Sequence, residues 1–224
     1  MINTFIFDMD GVIADTEPGH LLTEYSYFRS LGIEEPLGFL KNHAAVNQSE
    51  MLREAKSCFK LEHDPEVLMR GLIKAKAAYF EKQDIRANKG IKELLKYLRL
   101  NGYRTALASS SPLELIRLIL DKLDITDHFE VILSGEEVKK GKPEPDIYLE
   151  AARRLKSKPS GCIVLEDSQY GVNSAKSAGM TCIGYTAPGY ASCGLSGTDH
   201  IVFDIGEVKG ILTSLNKMAG KSSG

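Results

Sequence analysis

Two carboxylates spaced i, i+2 close an apolar run in Thr4-Phe5-Ile6-Phe7-Asp8-Met9-Asp10-Gly11-Val12. The run Thr4–Phe7, rich in aromatic and β-branched residues, predicts a buried strand. Residues two apart in extended backbone project to the same side. Asp8 and Asp10 therefore face one point just beyond the strand's carboxyl end, where ligands bind in open α/β sheets.

Further groups along the chain could meet them there. In Ala108-Ser109-Ser110-Ser111, the first two serines lie at or just past the end of a second strand. A hydroxyl with the N–H groups of the following turn suits a phosphate oxygen. The same sequence also suits helix capping, since Ser111-Pro112 places proline at a first helical position. Lys142, in Gly141-Lys142-Pro143-Glu144-Pro145, sits in a loop restricted by prolines. It reads either as a cation for an oxyanion or carboxylate nucleophile, or as a solvated lysine. Glu166-Asp167-Ser168 follows the apolar Ile163-Val164-Leu165, and two adjacent acids there need a cation or hydrogen bonds. Asp8, Asp10 and Asp167 offer oxygen ligands suited to Mg²⁺, which prefers carboxylates, water and substrate phosphate.

The elements that position these groups fall into two textures. From Glu17 to about Gln83 the pattern is helical, with Leu21, Leu22, Tyr25, Phe28 and Leu31 as one apolar series, punctuated by Gly32, Pro36, Asn42 and Pro65 into about four helices. Beyond it, strands and helices alternate. Strands are predicted over Arg104–Ala108, Val131–Leu133, Cys162–Leu165 and Thr181–Tyr185, with a short edge strand over Ile201–Phe203. Helices are predicted over Ile91–Leu100, Leu113–Lys122, Pro145–Leu155, Val172–Ala178 and Glu207–Met218. Repeated β-α alternation implies an α/β fold, a Rossmann-like doubly wound parallel sheet, with the all-helical block as an inserted domain. Residues 1–15 and 84–224 form the expected core and 16–83 the expected cap.

The 224 residues carry a net charge of −2, 43% hydrophobic and 26% charged residues, and no basic block. That composition favours neither nucleic acid nor a membrane. No signal peptide is evident, and Cys58, Cys162, Cys182 and Cys193 show no CxxC pairing, so a cytoplasmic protein with reduced thiols is expected. An EF-hand beginning at Asp8 fails, because its sixth position is Ile13 and its twelfth is Gly19. GxxxxGK[ST], GxGxxG and GxSxG are all absent.

In order along the chain, Asp8-Met9-Asp10-Gly11-Val12, Ser109, Lys142-Pro143 and Glu166-Asp167-Ser168 resemble the four motifs of the haloacid dehalogenase superfamily. Within it the chain is similar to the β-phosphoglucomutase and phosphoglycolate-phosphatase type, whose helical cap follows the first strand; Asp15-Thr16-Glu17 with His20 resembles the start of that cap. The resemblance implies Asp8 as a nucleophile forming an aspartyl-phosphate and Asp10 as acid and base. It implies Mg²⁺ held by the Asp8 carboxylate, the Asp10 carbonyl and Asp167, with Glu166 helping through water. Ser109, Ser110 and Lys142 would hold the phosphoryl group, and His20 reads either as a substrate contact at the hinge or as a packed helix-start residue. In the segment Ala45–Glu50, Gln48 stands where the mutase carries an arginine for the non-reacting phosphate, and an amide does not replace a guanidinium clamp. Arg53, Lys41 and Lys76 read either as substitutes for that arginine from elsewhere in the cap or, by the usual exposure of such side chains, as surface charges.

These features favour a Mg²⁺-dependent phosphatase for a small phosphorylated metabolite, a sugar phosphate or similar monoester. The rival enzyme reading is a phosphoglucomutase-type phosphotransferase. A receiver-like signalling domain is the rival from outside enzymes, and the i, i+2 acids and the large helical insertion count against it. Oligomeric state is left open.

Overall fold

The computed structural model describes residues 2–43, 48–187 and 195–221, with side chains to 217. The strands are β1 (Thr4–Phe7), β2 (Arg104–Ser109), β3 (Val131–Ser134), β4 (Cys162–Glu166), β5 (Thr181–Tyr185) and β6 (His200–Val202). They form one six-stranded sheet in the order β3-β2-β1-β4-β5-β6, every pair parallel. The order reverses on either side of β1, the doubly wound arrangement that opens a crevice at the strands' carboxyl ends. Register is set by continuous apolar strands: Phe7 lies beside both Leu107 and Leu165, which brings Asp8 level with Ala108 and Glu166.

Two apolar layers cover the sheet. On one face Phe5, Phe7, Leu107 and Ile163 pack under α5 (Ile91–Leu100), α6 (Leu113–Leu123) and α9 (Val208–Lys221). On the other, Ile6, Ala106, Val164 and Cys182 pack under α7 (Asp146–Arg154) and α8 (Gln169–Ser177). Alternate strand residues feed opposite layers, as the pleat requires. Cys162 and Cys182 are buried free thiols, with burial pushing the Cys182 thiol up to about 12; Cys193 lies outside the described residues.

Between β1 and α5 run α1 (Glu17–Ser30), α2 (Leu37–Asn42), α3 (Gln48–Phe59) and α4 (Pro65–Lys82), which share an apolar cluster of their own around Phe28, Leu40, Leu52 and Leu72. The buried face of α1 differs from the sequence expectation. Leu21 and Leu22 are exposed, whereas Gly19, His20, Thr23 and Phe28 are buried. The cause is close helix packing: a Cβ on Gly19 would meet the Phe80 ring at 2.8 Å, and one on Gly71 would meet the Tyr27 hydroxyl at 2.3 Å. Small residues, not leucines, mark that interface. No described helix is long and apolar enough to cross a membrane.

Candidate active site

The carboxyl ends of β1, β2 and β4 bring the acids, the serines and the lysine together. Asp8 leaves β1 with its N–H still bonded to the Leu165 carbonyl at 3.0 Å, so the strand ladder continues into the site. Lys142, from the loop after β3, places Nζ 2.5 Å from Asp8 Oδ1 and 2.6 Å from Glu166 Oε1. Its side chain is only 7% exposed, which discards the solvated-lysine alternative. Two buried carboxylates hold its ammonium form, and its pKa is raised despite desolvation. Asp8 is pushed well above the usual carboxylate range, first by burial; Lys142 opposes this, while Glu166, Asp167 and Asp10 add to it.

Glu166 is the organiser. Its Oε1 accepts from Lys142 and from the Tyr148 hydroxyl at 2.7 Å, and its Oε2 accepts from the Asp167 and Ser168 N–H groups and the Ser168 hydroxyl, each at 3.0 Å. Helix α8 begins at Gln169, three residues before the predicted start, because Ser168 caps it and Glu166 lies against its first turn. Gly171 makes that approach possible: a Cβ there would sit 1.7 Å from Glu166 Oε1. With five donors, the Glu166 carboxylate has its lone pairs occupied.

Tyr148 carries no sequence signal that ties it to the site. It is fully buried in α7, and its ring lies 5.0 Å from Lys142 Nζ while its hydroxyl holds Glu166. Tyr148→Phe is expected to cost about 1.5–3 kcal/mol, the range for a hydrogen bond to a charged group. Urea unfolding checks it, and an unchanged midpoint would show that the contact is idle.

Asp10 is turned toward the start of α1. Its Oδ1 accepts from the Thr16 hydroxyl at 2.6 Å and lies 2.9 Å from His20 Nε2, and its Oδ2 accepts from the Ser111 hydroxyl at 2.8 Å and the Ser109 hydroxyl at 3.2 Å. Burial alone would raise its pKa, but His20, Thr16 and Ser111 hold it well below the usual range. The carboxylate is thus ionised and ready as a base, and it must shed some of these donors before it carries a proton as an acid. The capping alternative for the serines fails: α6 has no side-chain cap, and the Ser111 hydroxyl goes to Asp10. Ser110 is exposed and makes no hydrogen bond among the described residues. Asn88, also missed in the sequence, donates to the carbonyls of Gly11 and Val12 and fixes the turn after β1.

Oxygen atoms of Asp8, Glu166 and Asp167 lie within 4.8 Å of one another. The Asp167 carboxylate accepts no hydrogen bond among the described residues, and burial together with Glu166 and Glu17 pushes it up to about 8. Gly11, at φ +80°, leaves room for it, since a Cβ would meet Asp167 Oδ2 at 1.8 Å. Crowded, under-compensated carboxylate oxygens fit a hard divalent cation such as Mg²⁺. Asp8 and Asp167 have oxygens to spare, whereas Glu166 does not.

In the helical insertion, Gln48 Nε2 donates to Glu24 at 3.2 Å. Lys76, expected at the surface, is only 3% exposed and pairs with the same Glu24 at 2.6 Å. Lys41 and Arg53 are exposed, as expected. Residues 45–47 of the segment compared with the mutase lie outside the described residues.

A family model described as haloacid dehalogenase-like hydrolase matches residues 5–185. The chain belongs to that family. The haloacid dehalogenase-like chain is 33% identical to the phosphorylated carbohydrates phosphatase of Thermotoga maritima over 175 residues, 78% of this chain and 81% of the relative. It is 31% identical to the β-phosphoglucomutase of Bacillus subtilis over 197 residues, covering 80% and 81%. Among solved structures it is similar to CbbY from Rhodobacter sphaeroides in complex with phosphate, with a TM-score of 0.80, 26% identity and coverage of 93% and 96%. The six-stranded parallel sheet flanked by helices agrees with that structural likeness.

Proposed function

We propose that the protein is a Mg²⁺-dependent phosphatase for phosphorylated carbohydrates, with residues 1–15 and 84–224 as the catalytic core and 16–83 as a cap. The observation that carries it is Asp8, buried at a strand end, ion-paired to Lys142 and grouped with Asp167. An Asp8 oxygen attacks phosphorus, and the ester oxygen leaves with a proton from Asp10. Asp10 then takes a proton from water, whose oxygen attacks the aspartyl-phosphate; inorganic phosphate departs and Asp8 is restored. Lys142, and Ser109 once released from Asp10, offset charge on the phosphoryl oxygens. Mg²⁺, held by Asp8, Asp167 and the Asp10 carbonyl, would supply electrostatic stabilisation of the phosphoryl group.

Hydrolysis is favoured over mutase turnover because Gln48, a neutral amide, is engaged with Glu24. Incubation with β-glucose 1-phosphate, Mg²⁺ and trace glucose 1,6-bisphosphate tests this. Free phosphate is expected, and glucose 6-phosphate formed without phosphate release would overturn the reading.

A further inference from the structure

We infer that Tyr148 is a positioning residue for phosphoryl transfer: with its hydroxyl on Glu166 and its ring beside Lys142, it fixes the lysine's ammonium against Asp8. This role rests on the phosphatase reading above and concerns how the cation of that site is aimed.

Lys142 lies in a turn between β3 and α7, outside any regular element. A lysine is a point charge on a flexible four-carbon stem, so the groups around its ammonium decide where the charge sits. Two of them are carboxylate oxygens, Asp8 Oδ1 and Glu166 Oε1. The third is the Tyr148 ring, 5.0 Å from Nζ and within reach of a cation–π attraction. Tyr148 stands in the first turn of α7, six residues after the lysine. The loop backbone is tied separately, because the buried Ser174 of α8 donates its hydroxyl to the Glu144 carbonyl at 2.6 Å. Tyr148 therefore acts on the side chain of Lys142, while α8 holds the loop that carries it.

The hydroxyl works through one oxygen. Glu166 Oε1 accepts from Tyr148 at 2.7 Å and from Lys142 at 2.6 Å, while Oε2 is taken by donors at the start of α8. The carboxylate is thus pinned between α7 and α8, and the lysine is pinned to the carboxylate. The rest of Tyr148 packs in the apolar layer with Ile6, Ala108, Leu133 and Val164. A phenylalanine would serve that packing, so the hydroxyl, which needs a partner when buried, is the part that reaches the site. Without it, Oε1 keeps a single strong donor and draws the ammonium away from Asp8 toward Glu166. A displacement of about 1 Å in a charge that must meet the phosphoryl oxygens is costly in rate, and it costs most where those oxygens gain charge, in the transition state.

The test follows phosphate release from glucose 6-phosphate and p-nitrophenyl phosphate by the whole protein with Mg²⁺, well below its melting temperature. Tyr148→Phe is expected to lower kcat at least about tenfold, the lower end for a residue that orients a site from behind, with KM changed less than about threefold. Orthovanadate, which takes up the five-coordinate geometry of the transferring phosphorus, should bind the variant more weakly by about the factor by which kcat falls. Inorganic phosphate should bind it nearly as well as before. Ile147→Val, buried in the same helix and without a hydrogen-bonding group, loses packing alone and is expected to keep kcat within about twofold. Tyr148→Met, flexible enough to fill the same space, also lacks the hydroxyl and is expected to show the same loss, so it serves where Tyr148→Phe does not fold. A folded Tyr148→Phe or Tyr148→Met with kcat and vanadate affinity within about twofold of wild type would overturn the positioning role. An equal fall in Ile147→Val, or failure of both Tyr148 variants to fold, would make Tyr148 a packing residue and overturn it as well. No release from either compound by the wild type would instead overturn the phosphatase reading.

Discussion

Asp8→Asn is expected to lower phosphate release by at least about 10³-fold while raising the stability of the metal-free protein, because the proposed nucleophile is a buried carboxylate crowded by three other acids. The rate effect follows from removing the attacking oxygen's charge. The stability effect follows from the raised pKa of Asp8, where burial and three neighbouring acids outweigh Lys142. An acid whose pKa is higher folded than unfolded binds more protons when folded. Its contribution is therefore most favourable at low pH and is lost as pH rises from about 4 towards the folded value. At pH 7 the wild type bears that cost and Asp8→Asn does not. The melting temperature should rise by about 2–4 °C for each kcal/mol recovered. Saturating Mg²⁺ should narrow or reverse the difference, since the wild type keeps the carboxylate that a cation stabilises. Thermal melts with and without Mg²⁺ check this, and a variant that keeps a tenth of wild-type activity removes Asp8 from the nucleophile's role.

Lys142→Met should act in the opposite sense on stability. Lys142 is the cation between Asp8 and Glu166, and Glu166 has no exposed side-chain surface. Removing one partner of a buried ion pair leaves its counter-charges uncompensated, at a cost of about 3–5 kcal/mol. The deficit should be largest near neutral pH and shrink in acid, where the raised Asp8 takes up a proton and the repulsion fades. Mg²⁺ should restore part of it. Urea unfolding at pH 7 and pH 5 measures both effects; a loss below about 0.5 kcal/mol would mean that the triad is not held together by this lysine.

Much of this arrangement was legible in the sequence, because strand-end chemistry is local. The apolar run into Asp8, the acids after Leu165 and the serines after Ala108 are each written next to the strand that positions them, and parallel pairing of those strands converges them. Lys142 was legible as a residue but not as a buried one, since its burial depends on Asp8 and Glu166 being already in place. Tyr148 and Asn88 carry no local signal, and Ser111 carries only a capping one. A tyrosine in an amphipathic helix looks like core, and only the packing of α7 across β1, β2 and β3 shows that its hydroxyl ends on Glu166.

The insertion is the least legible part of the sequence, for physical reasons. Its first helix buries Gly19, His20 and Thr23, residues that hydrophobic periodicity does not count, so the stripe through Leu21 and Leu22 pointed to the wrong face. The usual exposure of lysine places Lys76 at the surface, yet Glu24, 52 positions away, holds it in the interior. Such pairs are long-range in sequence and follow no repeat, so the interior of the insertion is not legible until its helices are in place.

Chemical trapping of the intermediate tests the central claim most directly. The protein is incubated with Mg²⁺ and a phosphorylated sugar, quenched during turnover and treated with borohydride, which reduces an acyl-phosphate to an alcohol. Peptide mass spectrometry is expected to find homoserine at position 8 in the wild type and unmodified aspartate at positions 10 and 167. Turnover with no reduced residue, or reduction at Asp10 or Asp167 in place of Asp8, would contradict the account.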